Sequence, residues 1–353
     1  MIKKALAPGT VIKGVKHSYR ITDVLQNDGQ GFTYKTMATV GTGARSREIP
    51  MVLREHMMVR CSDRGTDGMA VVTPDDIAPT VDGCLKSFEY ASLERAKLSG
   101  LSPWLINVIE TFPGNNTYYY AVEFLDGQTF EEYVKSKGGR LTFEQCREVL
   151  SPIFDAVRLL HAHHVLHTDI HPGHIRFLKT SKGLTPVLFS LYATLHFSDH
   201  GLQDWTLPVM NCKEGYAPPE QYGSIDHFYP QIDVYALASL LVYALSGNTL
   251  PDSRLVNEEV IRSTLPQALP ESLVSAIISA LDPDVNQRTA SISNFREDLR
   301  EFQRSSVAEA MRPATDDDSD DYEATTFGSV MHRHWWKLLA GAGAIGGLLY
   351  MMM

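Results

Sequence analysis

Near residue 129 the hydrophobic period of the chain changes, and any fold must accommodate both halves. Upstream, short β-rich runs alternate with turn signals. "YRITDVL" and "GFTYKTMATV" read as hairpin strands, "IPMVLREHMMVR" as a third, and "NVIETF" and "TYYYAVEFL" as two more. One stretch, "KSFEYASLERAKLSGL", has helical spacing and predicts Phe88, Leu93, Leu98 and Leu101 as buried positions. Downstream the period is mainly helical. Thr129 stands three residues before Glu132, a capping-box spacing that opens a helix. "TFEQCREVLSPIFDAVRLLHAHH" is long and amphipathic, and "PESLVSAIISAL" and "SISNFREDLREFQ" add two further helices. "DVYALASLLVYALSG" is almost wholly apolar but short for a membrane span, so it reads as a buried core helix. The expected class is α+β: a small sheet with one helix, followed by a larger helical region.

The chain's 353 residues suit one large two-lobed domain, or two ordinary ones, plus a tail. The net charge is −10, and part of it comes from one acidic run near the C-terminus, so no basic face for nucleic acid is indicated. Cys61, Cys84, Cys146 and Cys212 are scattered without a C-x-x-C pair, which argues against a zinc site or a disulfide framework and fits a reducing compartment. "MIKKALAPGTVIKG" has two lysines but no apolar stretch behind them, unlike a cleavable signal peptide.

Several motifs follow one another in a fixed order. "VLHTDIHPGHI" ends at Ile175, "GYAPPEQY" spans Gly215 to Tyr222, "IDVYALASLLVYALSG" carries Asp233, and "LDPDVNQRTAS" carries Arg288. "AVEFLDG" and "MVLREHMMVR" precede them. Together they resemble the Hanks-type Ser/Thr protein kinases of bacteria, over roughly residues 18–304. The resemblance implies a bilobal fold, with an extension at 1–17, an N-lobe at 18–123 and a C-lobe at 124–308. It also implies Val122 at the gatekeeper, Glu123 in the hinge, and a structural Glu220–Arg288 pair beside a buried Asp233.

In that family phosphoryl transfer rests on positioning and charge neutralisation around the γ-phosphate. The resemblance puts the loop base at Asp169. The lysine that follows it is replaced by His171, which is mostly neutral at pH 7. His174 replaces the asparagine that holds magnesium, and Ser190 replaces the aspartate of D-F-G. Magnesium prefers oxygen ligands and near-octahedral geometry, so imidazole is a poor substitute. Arg54 stands where the strand lysine grips phosphates, and the two cations are not interchangeable at a fitted site. Glu94 is the candidate helix glutamate, with Glu89 weaker. The glycine-rich loop is damaged: Gly29 and Gly31 serve as glycines under one alignment, Gly31 alone under the other, and Asp28 adds a carboxylate near the phosphates.

Alternatives remain open on the sequence alone. Asp199, in "FSDHG", offers a second placement of the D-F-G aspartate. His171 and His174 with a third ligand could hold a transition metal. Asp169 has a structural reading and a residual catalytic one. Six acidic residues between Asp316 and Glu323 predict a disordered linker over 309–331, with Thr325 and Thr326 as possible phosphorylation sites. Leu338–Met353 carries no charge and is about 24 Å long as a helix, against roughly 30 Å of hydrocarbon. With Trp335, Trp336 and Lys337 as interfacial anchors, residues 332–353 predict a C-terminal membrane anchor with the kinase-like domain cytoplasmic. An interfacial segment and a partner-binding tail are the other readings. Gly343 and Gly347 form G-x-x-x-G, which favours dimerisation within the bilayer.

The expectation is a pseudokinase tethered to the bacterial inner membrane, acting as scaffold or regulatory module for an unidentified signalling partner. No cofactor is expected. The alternatives are a divergent active Ser/Thr kinase, and a nucleotide sensor that binds ATP without metal.

Overall fold

Strand-forming residues in the first third build one antiparallel sheet. In chain order the elements are β1 (Val11–Lys13), β2 (Ser18–Asn27), β3 (Gly31–Val40), β4 (Arg47–His56), the short pair β5 (Asp63–Arg64) and β6 (Val71–Val72), helix α1 (Ala78–Leu98), β7 (Val108–Gly114) and β8 (Thr117–Glu123). The six-stranded sheet runs β1-β2-β3-β4-β8-β7. The computed structural model describes residues 4–41, 46–180, 183–191, 194–197, 212–223 and 229–300.

Alternation along β3 puts Phe32, Tyr34, Thr36 and Ala38 on the buried face, against Tyr19, Leu53, Phe112 and Tyr119. The β2–β3 turn is tight for a reason of space. A Cβ on Gly31 would lie 2.0 Å from the Glu55 carbonyl oxygen, so only glycine fits there, and Gly29 turns the chain at φ +82°.

This lobe also buries charge. Glu55 is enclosed and accepts from the Arg64 guanidinium at 2.7 and 2.5 Å, from Tyr34 Oη at 2.8 Å and from Tyr119 Oη at 2.9 Å. Every partner donates to the carboxylate, which is what makes a buried charge tolerable. Residues 4–17, read from sequence as an extension, contribute to the same lobe. β1 pairs with β2, and buried Leu6 donates its N–H to Tyr34 Oη at 3.0 Å.

The second part is helical. β9 (Gln128–Thr129) leads into α2 (Phe130–Ser136), and α3 (Phe143–Ala162) follows. Both helices open with a complete capping box, Thr129 with Glu132 and Thr142 with Gln145. Then come β10 (Val165–Leu166), β11 (Ile175–Thr180), β12 (Gly183–Leu188), β13 (Leu195–His196), α4 (Gln231–Ser246), α5 (Glu258–Thr264) and α6 (Glu271–Ala280). In α4 every residue from Ile232 to Leu245 is buried, so its largely apolar run is core. No helix among the described residues is long and apolar enough to cross a membrane. The predicted linker, Leu338–Met353, Gly343, Gly347, Thr325 and Thr326 lie outside the described residues, as does Asp199.

Helix α1 corrects one expectation. Leu98 is buried, but Leu93 and Leu101 are exposed, and the inward face carries Ser92 and Arg95 instead.

Candidate functional site: the cleft and its loop

The loop after β10 is held from below by one carboxylate. Asp233 accepts from the backbone N–H groups of His167 and Thr168, each at 2.8 Å, and lies 2.8 Å from His161 Nε2. Burial alone would raise its pKa; the His161 bond and charge, the His167 charge and the His167 backbone donor outweigh that and hold it below the usual carboxylate range. The bonds let Thr168 sit at φ +62°, a conformation a threonine rarely adopts. Gln221 Nε2 donates to the Thr168 carbonyl at 3.0 Å and ties the loop to the segment before α4.

Asp169 follows, with its side chain buried. A short turn over Pro172–His174 folds the chain back, so the His171 and His174 rings lie 3.8 Å apart between centroids. His174 Nδ1 donates to the Asp169 carbonyl oxygen at 2.8 Å and lies 3.3 Å from its Oδ2. His171 Nδ1 accepts from Gly173 N–H at 3.1 Å, and its Nε2 lies 3.8 Å from Asp169 Oδ1. Burial, then the His174 and Lys213 charges, pushes His171 down to about 2; burial is also the main cause that takes His174 to about 4. Both rings are therefore neutral at pH 7, and His171 does not supply the cation of the lysine it replaces.

Asp169, His171 and His174 are the one group among the described residues that brings three metal-ligating atoms within 4.8 Å. Their chemistry favours a nitrogen-preferring transition metal over magnesium. His174 Nδ1, the ring nitrogen nearest the carboxylate, carries the proton it donates to the Asp169 carbonyl, so a metal there would have to displace that bond.

The cleft between the sheet and the helical part has a volume of about 420 Å³, and Arg54, Val122, Glu123 and Ser190 line it. Arg54 reaches out of β4 to Asp28, meeting both carboxylate oxygens at 2.8 and 2.7 Å, and donates to Thr33 Oγ1 at 3.1 Å. Glu94 pairs with Lys97 on the surface of α1 instead. The residue that α1 turns inward is Arg95, whose Nε donates to Thr194 Oγ1 at 2.9 Å and whose guanidinium lies over the Tyr120 ring. Burial lowers Arg95 to about 10, with Tyr120 pulling the other way and Arg54 adding to the fall. Glu123 accepts from Asn107 N–H at 3.1 Å and from Asn107 Nδ2 at 3.2 Å. Ser190 sits at φ +67°, beyond Phe189, whose N–H donates to the His174 carbonyl.

The two positions that would hold magnesium thus present an imidazole bonded to its own loop and a serine hydroxyl. That set does not fit the ion. Farther out, Arg288 meets Glu220 at 2.6 and 3.0 Å and also donates to the Asp282 and Gln231 carbonyls.

Of the residues that sequence reasoning put at the site, Asp169, His171 and His174 lie together, and Ser190 lines the cleft with Arg54 and Glu123. That reasoning overlooked Arg95 and Arg64. In sequence an arginine on an amphipathic helix reads as solvated; only the neighbouring Ser92 hinted that this face was not a plain apolar stripe.

Comparison with known proteins agrees with this geometry. A family model described as "Protein kinase domain" matches residues 89–309. The chain is 25% identical over 246 residues to "Serine/threonine-protein kinase F" of Synechocystis, covering 59% of this chain and 47% of that protein. It is 26% identical over 180 residues to "Probable serine/threonine-protein kinase PknB" of Lactococcus lactis, covering 49% and 25%. The chain thus spans less than half of these curated relatives. Among solved structures, one titled "PpkA-294 apo form" superimposes with a TM-score of 0.60 at 22% identity, covering 84% of this chain and 99% of the other.

Proposed function

We propose that this chain, which belongs to the protein kinase family, works as a signalling scaffold or regulatory binding module with its phosphotransfer impaired. The observation that carries the reading is the Arg54–Asp28 pair. The cation expected to grip phosphates is bound by a carboxylate of the loop that should cover them. Ser190, His171 and His174 support it, because they remove one metal carboxylate, one permanent cation and one oxygen ligand from the same cleft. Each loss alone has a local remedy; together they remove the metal ligands and the loop lysine on which the family's neutralisation of the γ-phosphate rests.

The Asp233 frame favours a second reading. It fixes the backbone of His167 and Thr168 just before Asp169, the residue that an active Ser/Thr kinase would use as base. In either case the scaffold proposal includes a membrane tether through Leu338–Met353 and a protein partner on the cytoplasmic side.

The test is a comparison of cells carrying the wild-type chain with cells carrying Asp169→Asn and cells lacking the chain. A scaffold predicts that the phosphopeptide profile of Asp169→Asn cells matches wild type. A profile that matches the deletion instead would establish an enzyme.

A further inference from the structure

The turn that follows Asp169 brings two imidazoles together through its pitch. Pro172–His174 form one turn of 3₁₀ helix with His171 as its cap. At about three residues per turn, side chains three positions apart eclipse. His171 and His174 therefore project side by side, and both approach the Asp169 carboxylate. None of the three lines the cleft between the sheet and the helical part, and Ser190 has no share in the cluster.

The packing is built around these rings. A Cβ on Gly173 would lie 2.8 Å from His171 Cε1, so a larger residue there would push the ring away. Tyr216 lies beside His171 and Phe189 edge-on to His174, at 6.1 and 5.5 Å between centroids. The Asp169 side chain is 1% exposed and those of His171 and His174 are 14% and 13%, so the cluster is sheltered while its rings still reach solvent.

The spacing suits one ion. A tetrahedral zinc with bonds of about 2.0–2.1 Å sets its ligand atoms about 3.3 Å apart. Here Asp169 Oδ2 and His174 Nδ1 are 3.3 Å apart, Asp169 Oδ1 and His171 Nε2 are 3.8 Å apart, and one ligand atom from each residue lies within 4.8 Å of the others. Both rings are held neutral by burial, and the neutral imidazole is the form that ligates. Ligation asks each ring to exchange tautomers. His174 gives up its bond to the Asp169 carbonyl, and His171 the bond it accepts from Gly173 N–H. A neutral hydrogen bond is a small net term beside a metal–ligand bond. Lys213 lies near enough to disfavour positive charge at the rings, but it is exposed and water screens it.

We propose that Asp169, His171 and His174 form a site for one divalent transition ion of the zinc class, with water as the fourth ligand, and that the bound ion occupies Asp169 and locks the loop. The inference goes beyond the scaffold reading and stands without it.

The test is titration of the purified, EDTA-stripped full chain with Zn²⁺, with Co²⁺ as a spectroscopic probe and Mg²⁺ as competitor. One equivalent of Zn²⁺ binds with a dissociation constant on the order of micromolar or tighter, raises the melting midpoint, and resists displacement by excess Mg²⁺. Co²⁺ gives the intense visible bands of a tetrahedral ion. Asp169→Asn and His171→Ala each weaken Zn²⁺ on the order of tenfold or more and remove those bands; should one fail to fold, the other carries the test. His163→Gln, at an exposed position at the end of α3, leaves binding unchanged. Absence of a one-equivalent Zn²⁺ site overturns the proposal. So does binding that neither site variant alters, or that disappears with His332→Gln/His334→Gln instead. Phosphate transfer is read separately, from label incorporation with magnesium alone, so failure of the metal site is told apart from failure of the impaired-kinase reading.

Discussion

Arg54 on β4 and Asp28 in the β2–β3 turn form a two-point ion pair at 2.8 and 2.7 Å, with side chains 5% and 11% exposed. Arg54 is also part of the cleft lining, so the pair ties that wall to the turn. Its partners are held by Thr33 on one side and by Gln30 N–H, which donates to Asp28 Oδ1, on the other.

Breaking the pair from one side is expected to be costly. Arg54→Met leaves a nearly buried carboxylate uncompensated and should lower stability by about 3 kcal/mol. The double variant Arg54→Met/Asp28→Asn should lose less than the sum of the single changes, with a coupling of about 1–3 kcal/mol. Urea melts of the four proteins measure it; strict additivity would show that the pair contributes nothing.

The Glu220–Arg288 pair predicts a larger loss in the C-terminal part. Arg288 is fully buried, so Glu220→Ala leaves its charge with only carbonyl partners and should destabilise by about 3–5 kcal/mol. Calorimetry checks this. A midpoint unchanged by the substitution would mean that the carbonyls of Asp282 and Gln231 hold Arg288 alone.

Acid should destabilise the fold through its buried histidines. Burial is the main cause that lowers His56 and His174 to about 4 and His171 to about 2. The unfolded chain takes up those protons near pH 6.5, while the folded chain does not. Stability is therefore full above about pH 6.5 and falls as pH drops toward 4, with a further contribution from His171 below that. Melting midpoints across pH 4–8 test the sign. His174→Asn, which keeps a donor for the Asp169 carbonyl, should flatten the slope.

The tail predicts a location. Removal of residues 332–353 should move the chain from the membrane pellet to the soluble fraction, since Leu338–Met353 is the uncharged stretch that would hold it there. Equal partition of the full and shortened chains after alkaline extraction would rule out a tail anchor.

What the sequence made legible depended on local chemistry. The capping box at Thr129, the apolar run of α4 and the order Asp169, Glu220, Asp233, Arg288 can all be read within short windows, and each has its counterpart in the fold; the matching box at Thr142 was missed. The buried charges could not be read that way. Arg64 reaches Glu55 from nine residues away, and Arg95 reaches Thr194 from ninety-nine. Leu93 looked internal and is exposed because α1 turns Arg95 toward the cleft. Asp28 was legible as a carboxylate near the phosphate end; its partner was not, because the pair exists only once β2, β3 and β4 are in register.

The most direct measurement is incorporation of label from γ-labelled ATP into the purified full chain and a generic protein acceptor, with magnesium or manganese, beside Asp169→Asn. The account predicts equal background incorporation in both proteins. Label that appears with the wild-type chain and disappears with Asp169→Asn would contradict it.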